Sequence, residues 1–225
     1  MRRPRRYSVI AGLALAASLG EGMDRLAHSV VRAQQQSPPT GPIPHGQDQA
    51  PNPPRGAAEA VRAMTVPPGF QVEVVAAEPD IVNPVAMTFD ERGRVWITES
   101  LEYPRRQAGP GRDRIKVIED TDGDGKADRF KVFADGLNIP SGIAVGHGGV
   151  WVANSPDILF LQDRDGDGKA DHREVLFTGF GQGNQQHRLN GFELGLDGWV
   201  YGANGDSDGR VRSLKTGKEI GRAHV

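Results

Sequence analysis

Two groups of side chains in this sequence have types and spacing that could do chemistry. The first is a pair of acidic loops. Asp120, Asp122, Asp124, Gly125 and Asp128 recur as Asp163, Asp165, Asp167, Gly168 and Asp171, and the second loop adds Glu174. Hard cations such as Ca²⁺ take several oxygens at about 2.3–2.6 Å, and alternate carboxylates on a tight Gly-bearing turn supply them. The stretch from Asp163 to Glu174 matches the calcium-loop pattern D-x-D-x-D-G-x-x-D-x-x-E. In the first loop Lys131 stands where the last acid belongs. That loop is therefore expected to bind more weakly or to recruit another oxygen. The alternative for both is a solvated Asp-Gly turn without metal.

The second group is His187 with Asp206. An imidazole titrates near neutrality, at about pH 6.5 when unperturbed, which suits a general base. A carboxylate partner fixes its tautomer. His187 lies in Gly183-Asn-Gln-Gln-His-Arg-Leu-Asn190, a polar, Gly-flanked stretch of the kind that carries function. The alternative is a His that merely bonds a turn. His147 falls in a hairpin turn, His172 beside an acidic loop, and His28 and His45 outside the domain.

The elements that must position these groups come from a repeat. Val85–Glu99, Gly142–Asn154 and Gly191–Asn204 each read as a short apolar run, a Gly-containing turn and a second apolar run. That is a β-hairpin signature. A second hairpin recurs twice, Ile115–Ile118 with Phe130–Phe133 and Ile158–Leu161 with Val175–Phe177, each tipped by an acidic loop. Two hairpins per repeat make four strands, the pattern of a β-propeller blade. The fold class is therefore all-β, an incomplete propeller of about three four-stranded blades. Phe70–Val75 reads as a lone strand ahead of the first. Within a blade, the hairpin turning at Asp197 brings His187 and Asp206 side by side at the channel mouth. The acidic loops fall at the other end, so their Ca²⁺ is expected to be structural.

Composition bounds the rest. There is no Cys, which excludes disulfides, thiolate catalysis and attached c-type haem within this chain. Lys plus Arg is 27 against 29 Asp plus Glu, so nucleic acid is not an expected partner. Residues 1–33 read as a signal peptide: Arg2, Arg3, Arg5 and Arg6 precede the apolar run Val9–Leu19. Cleavage is expected after Ala33; retention would leave a membrane anchor. The protein is therefore expected to be exported, periplasmic or at the cell surface. Residues 34–58 read as a Pro/Gln-rich disordered linker, and 59–219 as the partial propeller. Residues 220–225, Ile-Gly-Arg-Ala-His-Val, read as one frame of a sequencing adapter, so the natural protein is expected to continue.

Residues 187–206, HRLNGFELGLDGWVYGANGD, resemble the catalytic blade of the soluble quinoprotein glucose/sorbosone dehydrogenases. His187, Gly195, Asp197, Tyr201, Gly205 and Asp206 fall in register. The resemblance implies that His187 takes the substrate hydroxyl proton while hydride passes to pyrroloquinoline quinone (PQQ), and that Asp206 orients the His. More broadly, residues 59–219 resemble the N-terminal propeller of PVC-type (planctomycete–verrucomicrobial) membrane-bound dehydrogenases. The likeness rests on Val66–Phe70, Ala77–Pro79, Asp120–Asp128, Phe133–Leu137 and Gly179–His187. It implies a sugar or alcohol substrate. A haem c electron-transfer domain is implied only for a C-terminal part absent here. Two rivals remain open: a binding propeller for carbohydrate or protein, and a lactonase-type hydrolase with a channel metal on Glu99, Asn154 and Asn204.

Overall fold

The computed structural model describes residues 55–104, 110–205 and 208–223. The residues read as a signal peptide, and most of those read as a linker, lie outside these residues. The chain divides into two compact units, whose described parts are residues 55–72 and 73–223. The first holds one short helix, α1 (Ala57–Arg62), with no buried residue. This helix spans the expected boundary between linker and propeller at residue 59, where no helix is expected.

The second unit is nearly all strand. Its elements are β1 (Pro84–Phe89), β2 (Val95–Glu99), β3 (Asp113–Glu119), β4 (Arg129–Leu137), β5 (Gly142–Gly146), β6 (Gly149–Asn154), β7 (Asp157–Gln162), β8 (His172–Phe180), β9 (Asn190–Leu194), β10 (Val200–Ala203), β11 (Gly209–Ser213) and β12 (Glu219–Ala223). Among the described residues all ladders are antiparallel and no sheet closes on itself. The first repeat forms the sheet β1-β2-β3-β4. The second forms β5-β6-β7-β8, as its two hairpins predict. The β5–β6 turn is tight: His147 and Gly148 both have positive φ, 57° and 76°, the requirement of a two-residue type I′ turn.

The third repeat departs from the expected four-stranded unit. Among the described residues β9 and β10 pair only with each other, while β11 pairs with β8 and extends the second sheet to six strands. The physical reason is Val211. In the alternating Arg-Val-Arg of β11, Val211 turns inward and is 5% exposed against Phe177 and Phe180. β12 pairs with β11, so residues 220–223 are part of a ladder. Residues 224–225 lie outside the described residues. Phe70–Val75 also departs from expectation: it has no ladder partner among the described residues.

Two apolar cores hold the sheets together. Trp96, Ile115, Val117, Phe133 and Leu137 of the first sheet pack against Ile143, Val150, Val152, Leu159 and Leu161 of the second. The second sheet's other face presents Trp151, Ile158, Phe160 and Phe177 to Phe192 and Val200 of the β9–β10 pair. Side chains alternate along β6, so Val150 and Val152 enter one core and Trp151 and Ala153 the other. A strand covered on both faces reads as a continuous apolar run, which explains Val150–Ala153.

Candidate functional site

The first strands of the three repeats, β1, β5 and β9, line one cleft of about 560 Å³. That volume is in the range of small-molecule sites. Polar groups on its walls include Asn83, Tyr103, Ser141, Gln185, Arg188 and Asn190. The backbone at its rim is unusual. Asn83 and Ile139 have positive φ, 43° and 48°. For the β-branched Ile139 this is a sparsely populated conformation that its surroundings must enforce. They do: Ile139 N donates to Asp113 Oδ2 at 2.5 Å, and Asn138 N donates to Asn154 Oδ1 at 2.8 Å. Ser141 Oγ donates to Leu189 O at 2.5 Å, and Asn190 Nδ2 to Arg188 O at 2.6 Å. The loop before β9 is thus tied to the loop before β5.

His187 is exposed and sits at the edge of this cleft rather than on its wall; Gln186 and Arg188 on either side line it. Its N–H donates to Asn184 O at 3.3 Å. After β10 the chain returns to the same place. A Cβ at Gly205 would lie 2.2 Å from His187 O, so only glycine allows this approach. Asp206 follows directly but lies outside the described residues.

Three other positions of the dehydrogenase resemblance have a local explanation. Tyr201 Oη donates to Asp197 Oδ2 at 2.6 Å, and Asp197 Oδ1 accepts Trp199 N at 3.1 Å. The Tyr201 ring lies over Gly195, where a Cβ would meet it at 2.6 Å. The Tyr201 bond, with the Trp199 amide, holds the Asp197 carboxyl below its ordinary value, and the same bond raises the Tyr201 phenol. Gly195, Asp197 and Tyr201 thus lock the β9–β10 turn.

Each acidic loop brings three of its predicted ligands together. Asp120, Asp122 and Asp124 place carboxylate oxygens within 4.8 Å of one another, as do Asp163, Asp165 and Asp167. Asp120 accepts Gly123 N and Gly125 N at 2.7 and 2.8 Å; Asp163 accepts Gly166 N and Gly168 N at the same distances. In the first loop the Gly125 amide leads in holding Asp120 below the ordinary Asp value; in the second, burial pushes Asp163 upward but the amides of Gly168 and Gly166 outweigh it. Asp128, Asp171 and Glu174 are outside these triads. Asp128 and Asp171 accept the amides of Thr121 and Arg164 at 3.2 and 3.0 Å, which closes each loop base. Glu174 lies in the β8 ladder opposite Phe160. Lys131 Nζ donates to Asp167 O, so the residue that breaks the first loop's pattern caps the second loop. Both loops join β3 to β4 and β7 to β8, at the strand ends away from the cleft rim, as the hairpin argument expects.

The hydrolase ligand set is differently engaged. Glu99 is fully buried, and its carboxylate pairs with Arg114 Nε and with Lys116 Nζ at 3.1 Å, while accepting Val82 N at 2.7 Å. Asn154 Oδ1 is the acceptor for Asn138 N. A carboxylate neutralised by two cations is a poor metal ligand, and these bonds engage the Glu99 and Asn154 oxygens. Sequence reasoning missed Arg188, which is 1% exposed on the cleft wall. A lone Arg beside a His carries no acid–base pattern. Aligning the three repeats puts Arg188 at the position of Asn83 and Ile139, just ahead of each first strand, and that is the signal that marks the rim.

Fold and site together define an all-β repeat protein of stacked antiparallel sheets with a polar cleft where its first strands begin. The chain belongs to the family described as Domain of unknown function (DUF7133), whose profile matches residues 56–225. No curated protein matches the chain.

Proposed function

We propose that the chain is the propeller part of an exported, quinoprotein-like sugar or alcohol dehydrogenase. The stacked sheets are read as successive blades, about three in this chain, around a channel. The observation that carries the reading is the convergence of β1, β5 and β9 on one cleft with the His187 loop at its rim. His187 is the general base for the substrate hydroxyl, and Asp206 is its positioning residue. The tight approach of Gly205 to His187 supports that pairing. Gln185, Arg188 and Asn190 on the cleft wall are the residues that would hold the oxygens of PQQ. When bound, that quinone supplies a two-electron hydride acceptor. The chain's own residues hold the substrate, orient its hydroxyl and take up its proton. With no Cys in the chain, a haem c electron acceptor would have to lie outside it.

The test is dye-linked oxidation of sugars and alcohols by the protein with PQQ added. His187→Ala is expected to lower kcat by about 10²- to 10⁴-fold, with a smaller change in KM. Unchanged turnover in that variant would remove the base assignment. Ligand binding without turnover would make the protein a binding propeller, and turnover that needs a metal but no quinone would make it a hydrolase.

The acidic loops are read as Ca²⁺ sites that stabilise the sheet ends, with Kd on the order of 0.1–1 mM. Calorimetric titration should show Ca²⁺ heat that Asp163→Asn diminishes. No heat and no rise in melting temperature with Ca²⁺ would leave them solvated turns.

A further inference from the structure

We propose that the residue ending the second strand of a repeat, Glu99 in the first and Asn154 in the second, is a positioning residue for the cleft. Its side-chain oxygen sets the backbone of the rim residue that faces the ligand. What binds in the cleft rests on the dehydrogenase reading; the geometry of the rim does not.

The ladders fix the correspondence between repeats. Phe89 lies opposite Val95, and Val145 opposite Val150. Four residues on from Val95 and Val150 stand Glu99 and Asn154; six residues back from Phe89 and Val145 stand Asn83 and Ile139. Glu99 Oε1 accepts Val82 N at 2.7 Å, and Asn154 Oδ1 accepts Asn138 N at 2.8 Å. A carboxylate and an amide thus hold the same amide of the repeat, one residue ahead of the rim residue.

The rim residues themselves are Asn83 and Ile139, and both line the cleft. Of the three non-Gly residues with positive φ among the described residues, they are two. Such a backbone persists only where its surroundings impose it. The imposing groups are buried: Glu99 is 0% exposed and Asn154 6%. They are also backed up. Lys116 Nζ, paired with Glu99, donates to Asp80 O and so holds the same segment from its other side. Ser100 N donates to Asn83 O at 3.2 Å, and Asn83 Nδ2 donates to Ser100 O at 2.7 Å. In the second repeat the Ile139 amide is taken by Asp113.

The third repeat reaches the same place by a different contact. Six residues back from Leu194 is Arg188, again on the cleft wall, and four on from Val200 is Asn204. Here the meeting is of backbones: Gly205, next after Asn204, lies against the His187 carbonyl. In every repeat, then, the end of the second strand meets the segment that enters the cleft. Glu99 and Asn154 need not touch a ligand to decide what it meets.

The test uses Asn154→Ala, which removes the oxygen, and Asn154→Asp, which keeps one. Circular dichroism first checks for an unchanged strand signal; Asn154→Ser, too short to reach, serves if Asn154→Ala does not fold. Hydrogen exchange read by NMR should quicken about tenfold or more at the Asn138 and Ile139 amides of Asn154→Ala and stay unchanged at Val82. Asn154→Asp should restore both to within about threefold of the native rates. PQQ is the probe for the cleft. Its calorimetric Kd should rise about tenfold in Asn154→Ala and return in Asn154→Asp. Val152→Ala, in the core of the same strand, should lower the melting temperature and leave that Kd unchanged. A Kd equal in Asn154→Ala and the native chain would overturn the positioning role. A native chain that binds no PQQ would overturn the cofactor reading instead. The exchange rates then decide alone: equal rates at Asn138 and Ile139 in native and Asn154→Ala chains overturn the inference.

Discussion

At the residue scale, buried carboxylates do the positioning work. Asp90 closes the β1–β2 turn: it accepts Trp96 Nε1 at 2.9 Å and Arg94 Nε at 2.7 Å, with its side chain 2% exposed. Asp90→Ala strands the indole donor in the first core, whose Trp96 ring stands edge-on to Phe133 at 4.8 Å. A loss of about 2–3 kcal/mol is expected in urea unfolding; a loss below about 0.5 kcal/mol would show that water replaces the carboxylate. The same residues set the acid response. Burial pushes the Asp113 carboxyl above its ordinary value of 3.8, against the amide bonds from Ile139 and Glu102. The native chain thus holds that proton more tightly than the unfolded chain, so stability falls as pH rises from 3.8 toward the raised native value. Asp90 works in the opposite sense. Burial raises it, but bonds from Trp96, Arg94 and Arg92 outweigh that and leave it below 3.8, so its contribution is lost as pH falls below 3.8. Urea midpoints from about pH 3 to about pH 6 check both: Asp113→Asn should flatten the upper slope and Asp90→Asn the lower. Tyr201→Phe tests a third point. If Tyr201 only locks its turn, kcat is unchanged; a large fall in kcat would give Tyr201 a part in the chemistry.

At the element scale, the sequence was most legible where periodicity and burial agree. Val150–Asn154 and Ile158–Leu161 are strands because both their faces are covered, and their apolar runs say so. The acidic loops were legible in the same way, since Asp-Gly turns bend the chain by their own side-chain bonds. β11 was not legible: a lone Val211 between arginines carries little pattern, and its pairing with β8 is decided by a core that only the folded chain assembles. The strand expected at 70–75 failed for the complementary reason, that a β pattern without a partner makes no ladder. Leu159 is fully buried between the first two sheets. Leu159→Ala should cost about 3 kcal/mol by chemical denaturation, since neighbouring strands cannot collapse into the space; a cost below about 1 kcal/mol would mean that the two sheets are loosely packed.

At the scale of the whole molecule, the candidate site is a product of stacking. No single repeat contains the cleft, so His187 could be singled out from its loop while Arg188 could not. The strand ladders have a further consequence, for the order in which the chain acquires its shape. Every ladder except β8–β11 joins strands that are neighbours along the chain. Such local pairing closes small loops and is kinetically cheap. Each sheet can therefore complete as its own codons are translated, the first before the second has been made. The late step is the return of β11 to β8, which must wait until β9 and β10 have been passed. A nascent chain whose emerged part ends between residues 180 and 209 should therefore display two finished sheets with one edge still open, and protease protection of such stalled chains would register that edge as the last to close.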